Sequence, residues 1–274
     1  MRETGITEIK PSGAWHKFDL RDMWAYRELL YFLTWRDVKI RYKQTAIGIA
    51  WAVLQPLITT AIFTVLFSTF ARFDTGAIPY PLFALSGLMI WLFVHTSITM
   101  ASNSFVSNTN LVTKVYFPRL IVPTAAVLAG LVDLVFSVAI LAVMMLWYGT
   151  ALSPQMAAAP LFMAMAVLLA MSVGTLFSAL NVKFRDVKFA LPFLLQVWMI
   201  ASPVFYPASI LSEKWRMVFA LNPLTGILEG FRSALFGTPF DWTVIAISAA
   251  SLAAITIVSM LVFKRMEDDF ADLI

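Results

Sequence analysis

The chain has no cysteine and little charge: 13% of its 274 residues are Asp, Glu, Lys or Arg, against about 25% in a soluble domain. Without cysteine there is no disulfide framework, no thiolate metal site and no cysteine nucleophile, and redox arguments about the compartment have nothing to act on. Histidine is nearly absent. His16 and His95 lie in separate regions, and no His/Asp/Glu cluster has metal-ligand spacing. No G-x-x-x-x-G-K-[ST] phosphate loop occurs, so ATP hydrolysis by that route is excluded. No G-x-S-x-G elbow occurs either. An enzyme is poorly supported, and no cofactor is expected on this chain.

What is abundant is apolar sequence: 60% of residues are hydrophobic and the mean hydropathy is +0.81. The segment Arg36-Asp-Val-Lys-Ile-Arg-Tyr-Lys43 places five charges in eight residues, and the next 28 residues, 44–71, contain none. Charge on that scale does not enter hydrocarbon, so the junction marks a membrane surface. Four of the five charges are basic, which puts this side in the cytoplasm. The first 43 residues hold no apolar run like a signal-peptide core, so the first span is expected to serve as its own insertion signal.

Crossing ~30 Å of hydrocarbon takes ~20 apolar residues. Uncharged stretches of about that length fall at 48–70, 82–101, 120–147 (interrupted by Asp133), 157–180, 189–206 and 242–263. The expected fold is all-α: a polytopic membrane protein with six transmembrane helices. Residues 1–46 form a cytoplasmic N-terminus, 47–263 the membrane domain and 264–274 a cytoplasmic tail. With both ends inside, sixteen Lys/Arg face the cytoplasm and four (Arg72, Lys214, Arg216, Arg232) the other side, a strong orientation bias. The pI of about 9.4 therefore reflects orientation and anionic lipid headgroups rather than nucleic acid. Trp51, Trp91, Trp147 and Trp242 fall near predicted span ends.

Two connections are unusual. At helical spacing over 20–42, Leu20, Met23, Trp24, Tyr31, Trp35, Val38 and Tyr42 share one side, and Arg21, Asp22, Glu28, Arg36, Lys39 and Lys43 another. Leu29, Phe32 and Leu33 break the separation. This reads as a helix lying in the cytoplasmic interface with a second buried contact. The stretch 207–241 carries too many apolar residues for a solvated loop and too much charge for a span. Broken at Asn222-Pro223 and closed by Gly237, it reads as two short re-entrant amphipathic helices on the outer face. A gate and a passive lid both fit.

Asp133 is the one carboxylate inside an expected span, a functional-site hypothesis by default. With no second buried acid and no buried Lys or Arg partner evident, a structural role is favoured. His95 likewise reads as a packing residue. Ala126/Gly130 and Ala170/Gly174/Ser178 repeat small residues every four positions, which lets helix backbones approach within or between subunits. In the second cytoplasmic connection, Asn110 could start a short helix and Pro118 stop it. That shape suits contact with a soluble partner. The halves show no inverted repeat, which argues against a secondary transporter.

Arg36-Asp37-x-Lys39-x-Arg41-Tyr42-Lys43-Gln44-Thr45-x-x-Gly48-x-x-Trp51, followed by Gln55-Pro56, resembles the opening of ABC-2-type permeases, and more narrowly the branch that exports O-antigen, capsule and teichoic acid. The stretch from Asn110 through Lys114 to Phe117-Pro118-Arg119, then Arg185-Asp186, and Asn222-Pro223 with Arg232, resemble the same family. The likeness spans nearly the whole chain and is weak only in 1–19.

The resemblance implies a homodimer with a pathway at its interface. It implies two copies of a separate ATPase subunit that hold ATP and Mg, and a lipid-linked polysaccharide substrate in a bacterial inner membrane. Arg36, Asp37, Arg41, Tyr42 and the coupling helix at 108–119, with Asn110, Lys114, Phe117, Pro118 and Arg119, would meet the ATPase. Arg185 and Asp186 would lie in a cytoplasmic loop, and Asn222, Pro223 and Arg232 in the outer gate. Aromatic faces suit a glycan path, and Trp51, Phe63, Trp91 and Phe93 are candidate lining residues. The alternatives are an ABC-2 permease for a drug or other small substrate, and a membrane enzyme acting on lipid-linked sugars through His95 and Asp133.

Overall fold

The computed structural model describes residues 20–43, 49–67, 73, 75–76, 78–151, 153–184, 186–267 and 270. Among them every regular element is a helix: α1 (Leu20–Ala25), α2 (Arg27–Lys43), α3 (Ile49–Leu66), α4 (Tyr80–Ser107), α5 (Thr109–Lys114), α6 (Ile121–Trp147), α7 (Ala159–Lys183), α8 (Val187–Ile200), α9 (Glu213–Ala220), α10 (Pro223–Phe236) and α11 (Trp242–Glu267). Short 3-10 turns at Pro154–Ala158 and Ala208–Ile210 lead into α7 and follow α8.

Among the described residues, four helices are long and apolar enough to cross a membrane: α4, α6, α7 with its 3-10 lead-in, and α11. The two other expected spans are shorter. The first, expected over 48–70, is described as helix only over Ile49–Leu66, with 44–48 and 68–72 outside the described residues. The fifth, expected over 189–206, stops at Ile200. Fourteen residues rise ~21 Å, well short of the hydrocarbon. Pro203 explains the stop: it lacks a backbone N–H and disfavours helical geometry at the residue before it.

α4 is the centre of the bundle. It packs between α6 and α7 and also meets α3, α8 and α10, which is why most of its surface is buried. The small-residue rows make this approach possible. A Cβ on Gly174 would lie 2.7 Å from the Ala101 Cβ of α4, and Gly130 faces Ser97 and Phe93 of the same helix. Both rows therefore serve contacts within the chain. In lipid, where tails are as apolar as leucine, such close packing does much of the work of association. Trp91, expected near a span end, is instead in the middle of α4 and buried.

α2 packs along α6. Two of the three residues that blurred its predicted faces make that contact: Leu33 is buried, and Leu29 packs beside it with Leu30. Trp24, Tyr31, Phe32 and Trp35 are exposed on the protein surface, a surface suited to a lipid headgroup region. At the same end of the bundle, Leu33 joins Phe105, Val112, Phe117, Ala179 and Phe263 in one buried cluster. At the other end Tyr80, Phe83 and Ala84 form a second, with Phe63, Phe67 and Phe73 around it.

The short helix of the second connection begins at Thr109 and ends at Lys114, so Asn110 lies inside it and Pro118 is four residues past its end. Val115 is already extended. The reason lies at Phe117, whose ring is buried in the cluster and which, preceding proline, disfavours helical geometry. The chain must leave the helix early to bring that ring inward.

Candidate functional site

The end of α2 carries Arg41 and Tyr42 onto the middle of α6. The Arg41 guanidinium and the Tyr42 hydroxyl each donate to a different carboxylate oxygen of Asp133. Asp133 thus has the cationic partner that no span supplies. It comes from the interface helix, 92 residues away in sequence. Arg41 also contacts the Met100 sulfur of α4, so one side chain ties α2 to two membrane helices. Burial first, and the Asp133 hydrogen bond and charge second, push the Tyr42 hydroxyl up to about 12. It stays protonated and able to donate.

These groups stand at the side of a cavity of about 530 Å³ between α2, α3, α4 and α6. Trp51, Gln55 and Pro56 line it from α3, Phe93 and Thr96 from α4, and Ser137 from α6. α3 and α6 contribute at four-residue spacing, which places Trp51 with Gln55 and Asp133 with Ser137 on single faces. The result is a largely apolar chamber with an ion pair, an amide and three hydroxyls, those of Tyr42, Thr96 and Ser137. It can stack an apolar face and hydrogen-bond polar edges of a guest at the same time.

Phe63 and Trp91 are elsewhere. Phe63 stacks on Phe67 and Phe205, at 5.6 and 5.1 Å between ring centroids, towards the opposite end of the bundle. Trp91 meets Trp198 edge-on at 6.3 Å, with His95 a turn along at 5.8 Å.

At that opposite end, residues 201–207 run without helix between α8 and the 3-10 turn. Arg232 of α10 is buried and takes over their backbone. It donates to the carbonyls of Pro203 (2.6 Å) and Val204 (2.5 Å) and reaches Ser86 Oγ and the Phe83 carbonyl of α4 at 3.3 Å. Its guanidinium lies 3.7 Å from the Phe83 ring centroid. Asn222 completes the arrangement. It caps α10 by accepting from the Leu224 N–H, accepts from Trp198 Nε1 at 2.9 Å, and donates to the Ala201 carbonyl and Ser202 Oγ. Pro223 occupies the first turn of α10, where no N–H is needed, and Gly237 ends it at φ +71°. Irregular backbone is tolerated at membrane depth only under such protein cover.

A family model described as ABC-2 type transporter matches residues 28–236. The chain belongs to the ABC-2 type transporter family. It is 27% identical to the O-antigen export system permease protein RfbA of Myxococcus xanthus over 258 residues, 92% of this chain and 98% of that protein. It is 26% identical to the protein of the same description from Klebsiella pneumoniae over 251 residues, 90% and 95% of the two chains. The polysialic acid transport protein KpsM of Escherichia coli is 24% identical over 204 residues, 73% and 78%.

On this ABC-2 permease the expected coupling residues divide. Asn110 and Lys114 lie in α5, with Asn110 exposed. Phe117 is buried, and Arg119 is turned towards the end of α11, where it donates to the Glu267 carbonyl. Arg36 pairs with its neighbour Asp37 at 2.8 Å. Asp186 is exposed just before α8, and Arg185 lies outside the described residues, as do Gln44, Thr45 and Gly48. The loop's most exposed large side chain, Tyr116 at 92%, was not among the expected coupling residues. Its signal was the neighbouring Phe117-Pro118, which forces one ring in and leaves the adjacent one out.

Proposed function

We propose that the chain is the membrane subunit of an ATP-driven exporter that moves a lipid-linked polysaccharide such as an O-antigen outward across a bacterial inner membrane. Two copies form the pathway, and two copies of an ATPase subunit bind at the cytoplasmic face and hold the ATP and Mg. The observation that carries the reading is the end-to-end likeness to O-antigen export permeases, 98% of one such protein.

The fold supports six crossings with both ends in the cytoplasm. α3 and α8 act as short first and fifth spans, and residues 201–207 complete the fifth under the cover of Arg232. α9 and α10 then re-enter from the outer face as the gate. The end carrying Leu33 of α2, α5 and the ends of α7 and α11 is the cytoplasmic one, since Lys114, Lys183, Lys264 and Arg265 gather there. The chamber beside Asp133 belongs to the substrate path. Trp51 and Phe93 offer stacking faces, and Gln55, Thr96 and Ser137 offer polar partners for hydroxyls.

The reading is tested by purifying the chain from its native membrane and asking whether a phosphate-loop ATPase comes with it. The chain alone should hydrolyse no ATP and the pair should do so. Lys114→Ala should lower surface glycan while membrane insertion stays normal. A deletion strain with normal surface glycan but new drug sensitivity would move the assignment to a small-molecule permease.

A further inference from the structure

The acidic stretch after α11 contains one apolar ring, Phe270, and it is fully buried at 0% exposure. Its ring centroid lies 5.0 Å from that of Phe105, near the end of α4, and 5.6 Å from that of Phe263 in α11. Arg119, at the base of the cytoplasmic loop, lies over the same ring at 5.8 Å and donates to the Glu267 carbonyl. Phe270 shares its buried cluster with Leu33 of α2, with Val112 and Phe117 of the loop, and with Ala179 of α7. One residue of the tail thus belongs to a cluster that also draws on α2, α4, the loop, α7 and α11.

The loop needs such a support. α5 has only six residues, too few to hold itself together, so a push on it spreads only through whatever its base is packed against. That base is the ring cluster. With Phe270 in place the loop, the end of α4 and the end of α11 pack as one body. Without it a void opens between Phe105, Phe263 and Arg119, and displacement of the loop is absorbed there.

We propose that Phe270 is a positioning residue for transport: it locks the cytoplasmic loop to α4 and α11, so that ATPase-driven movement of the loop is passed to the membrane helices. This rests on the reading above that the loop receives an ATPase.

The absence of native cysteine permits a specific test. Spin labels are placed at Thr113→Cys and Arg265→Cys in the full chain, which is diluted into excess unlabelled chain so that an assembly holds at most one labelled copy. With the ATPase bound, the distance between the two labels is measured with and without ATP. The chain with native Phe270 should give one narrow distribution that ATP leaves in place. Phe270→Ala should broaden it at least twofold, more so with ATP, and Phe270→Leu should restore most of the narrowness. Equal widths in the native and Ala chains overturn the proposal, as does a native distance that shifts with ATP. If Phe270→Ala fails to insert, Arg119→Gln decides by the same readout, since it frees the tail without emptying the core. If no ATPase binds the wild-type chain, the functional reading fails separately, and the nucleotide-free widths still decide the lock.

Discussion

Replacing Arg232 with methionine keeps much of its volume and removes every donor. Two carbonyls, of Pro203 and Val204, then lose the guanidinium that bonds them. Each buried carbonyl left unpaired costs ~1–3 kcal/mol, so ~2–6 kcal/mol together. Losing the cation over Phe83 adds ~2 kcal/mol, of which a methionine sulfur on the same ring returns ~1 kcal/mol. Against this, a buried guanidinium carries a desolvation penalty of several kcal/mol that the variant no longer bears. The net is ~2 kcal/mol, and it falls on a segment that lies outside any helix. The expected outcome is local: residues 201–207 separate from α4 and α10 while the bundle persists. An equilibrium shift of that size is about 30-fold. Val204 is fully buried, so Val204→Cys reports the opening as its rate of reaction with a membrane-impermeant maleimide. That rate should rise about 30-fold in the Arg232→Met background. Labelling within twofold of the parent rate would refute the view that Arg232 holds this segment.

Asp133→Asn keeps the shape but removes the charge that Arg41 meets. The pair is only partly buried, 19% and 28% exposed, so the ~3–5 kcal/mol of a broken buried pair shrinks to ~1–3 kcal/mol, read as faster proteolysis within 27–43. The Tyr42 hydroxyl is raised by burial and by Asp133 to about 12 from an ordinary value near 10. A raised folded value means its contribution to docking α2 is complete below about pH 10 and is lost as pH rises through about 12. Tyr42→Phe should remove one residue's worth of the late-titrating tyrosinate absorbance. Phe117→Ala should cost ~3–5 kcal/mol in thermal stability as a buried aromatic truncation, whereas Tyr116→Ala should leave stability within ~0.5 kcal/mol and weaken ATPase binding. Gly87→Ala should prevent normal folding of the end of the bundle around Arg232, since its Cβ would collide with the Val204 carbonyl and Arg232; stable insertion with an unchanged melting temperature would contradict that contact.

The long spans were legible because composition alone decides them: no run such as 121–147 can sit in water, and a single aspartate does not reverse that. The break at Asn222-Pro223 was legible too, because a capping residue followed by proline has one local solution. The partner of Asp133 was not. Arg41 lies in a segment read as surface, and only the docking of α2 on α6 brings the two together. Leu29 and Leu33 were the available hint, since their departure from a clean amphipathic pattern is what a second contact requires. Arg232 was flagged as a gate residue by resemblance, yet its work on the 203–204 carbonyls depends on α8 ending early, which Pro203 suggests and does not locate. Phe270 had no periodicity to announce it, standing alone among acidic residues.

The early end of α8 also limits how this end of the bundle can move. Residues 203 and 204 are buried outside any helix, so their carbonyls cannot part from Arg232 without being stranded in an apolar surrounding. Any opening motion must therefore carry residues 201–207, α10 and the Phe83–Ser86 turn of α4 together as a rigid piece. The freedom is left to α9, whose tie to its neighbours includes the Arg216–Asp241 ion pair at 3.0 Å on a partly exposed surface. A hinge at the α9–α10 junction, rather than unwinding of the buried helix, is the motion this construction permits.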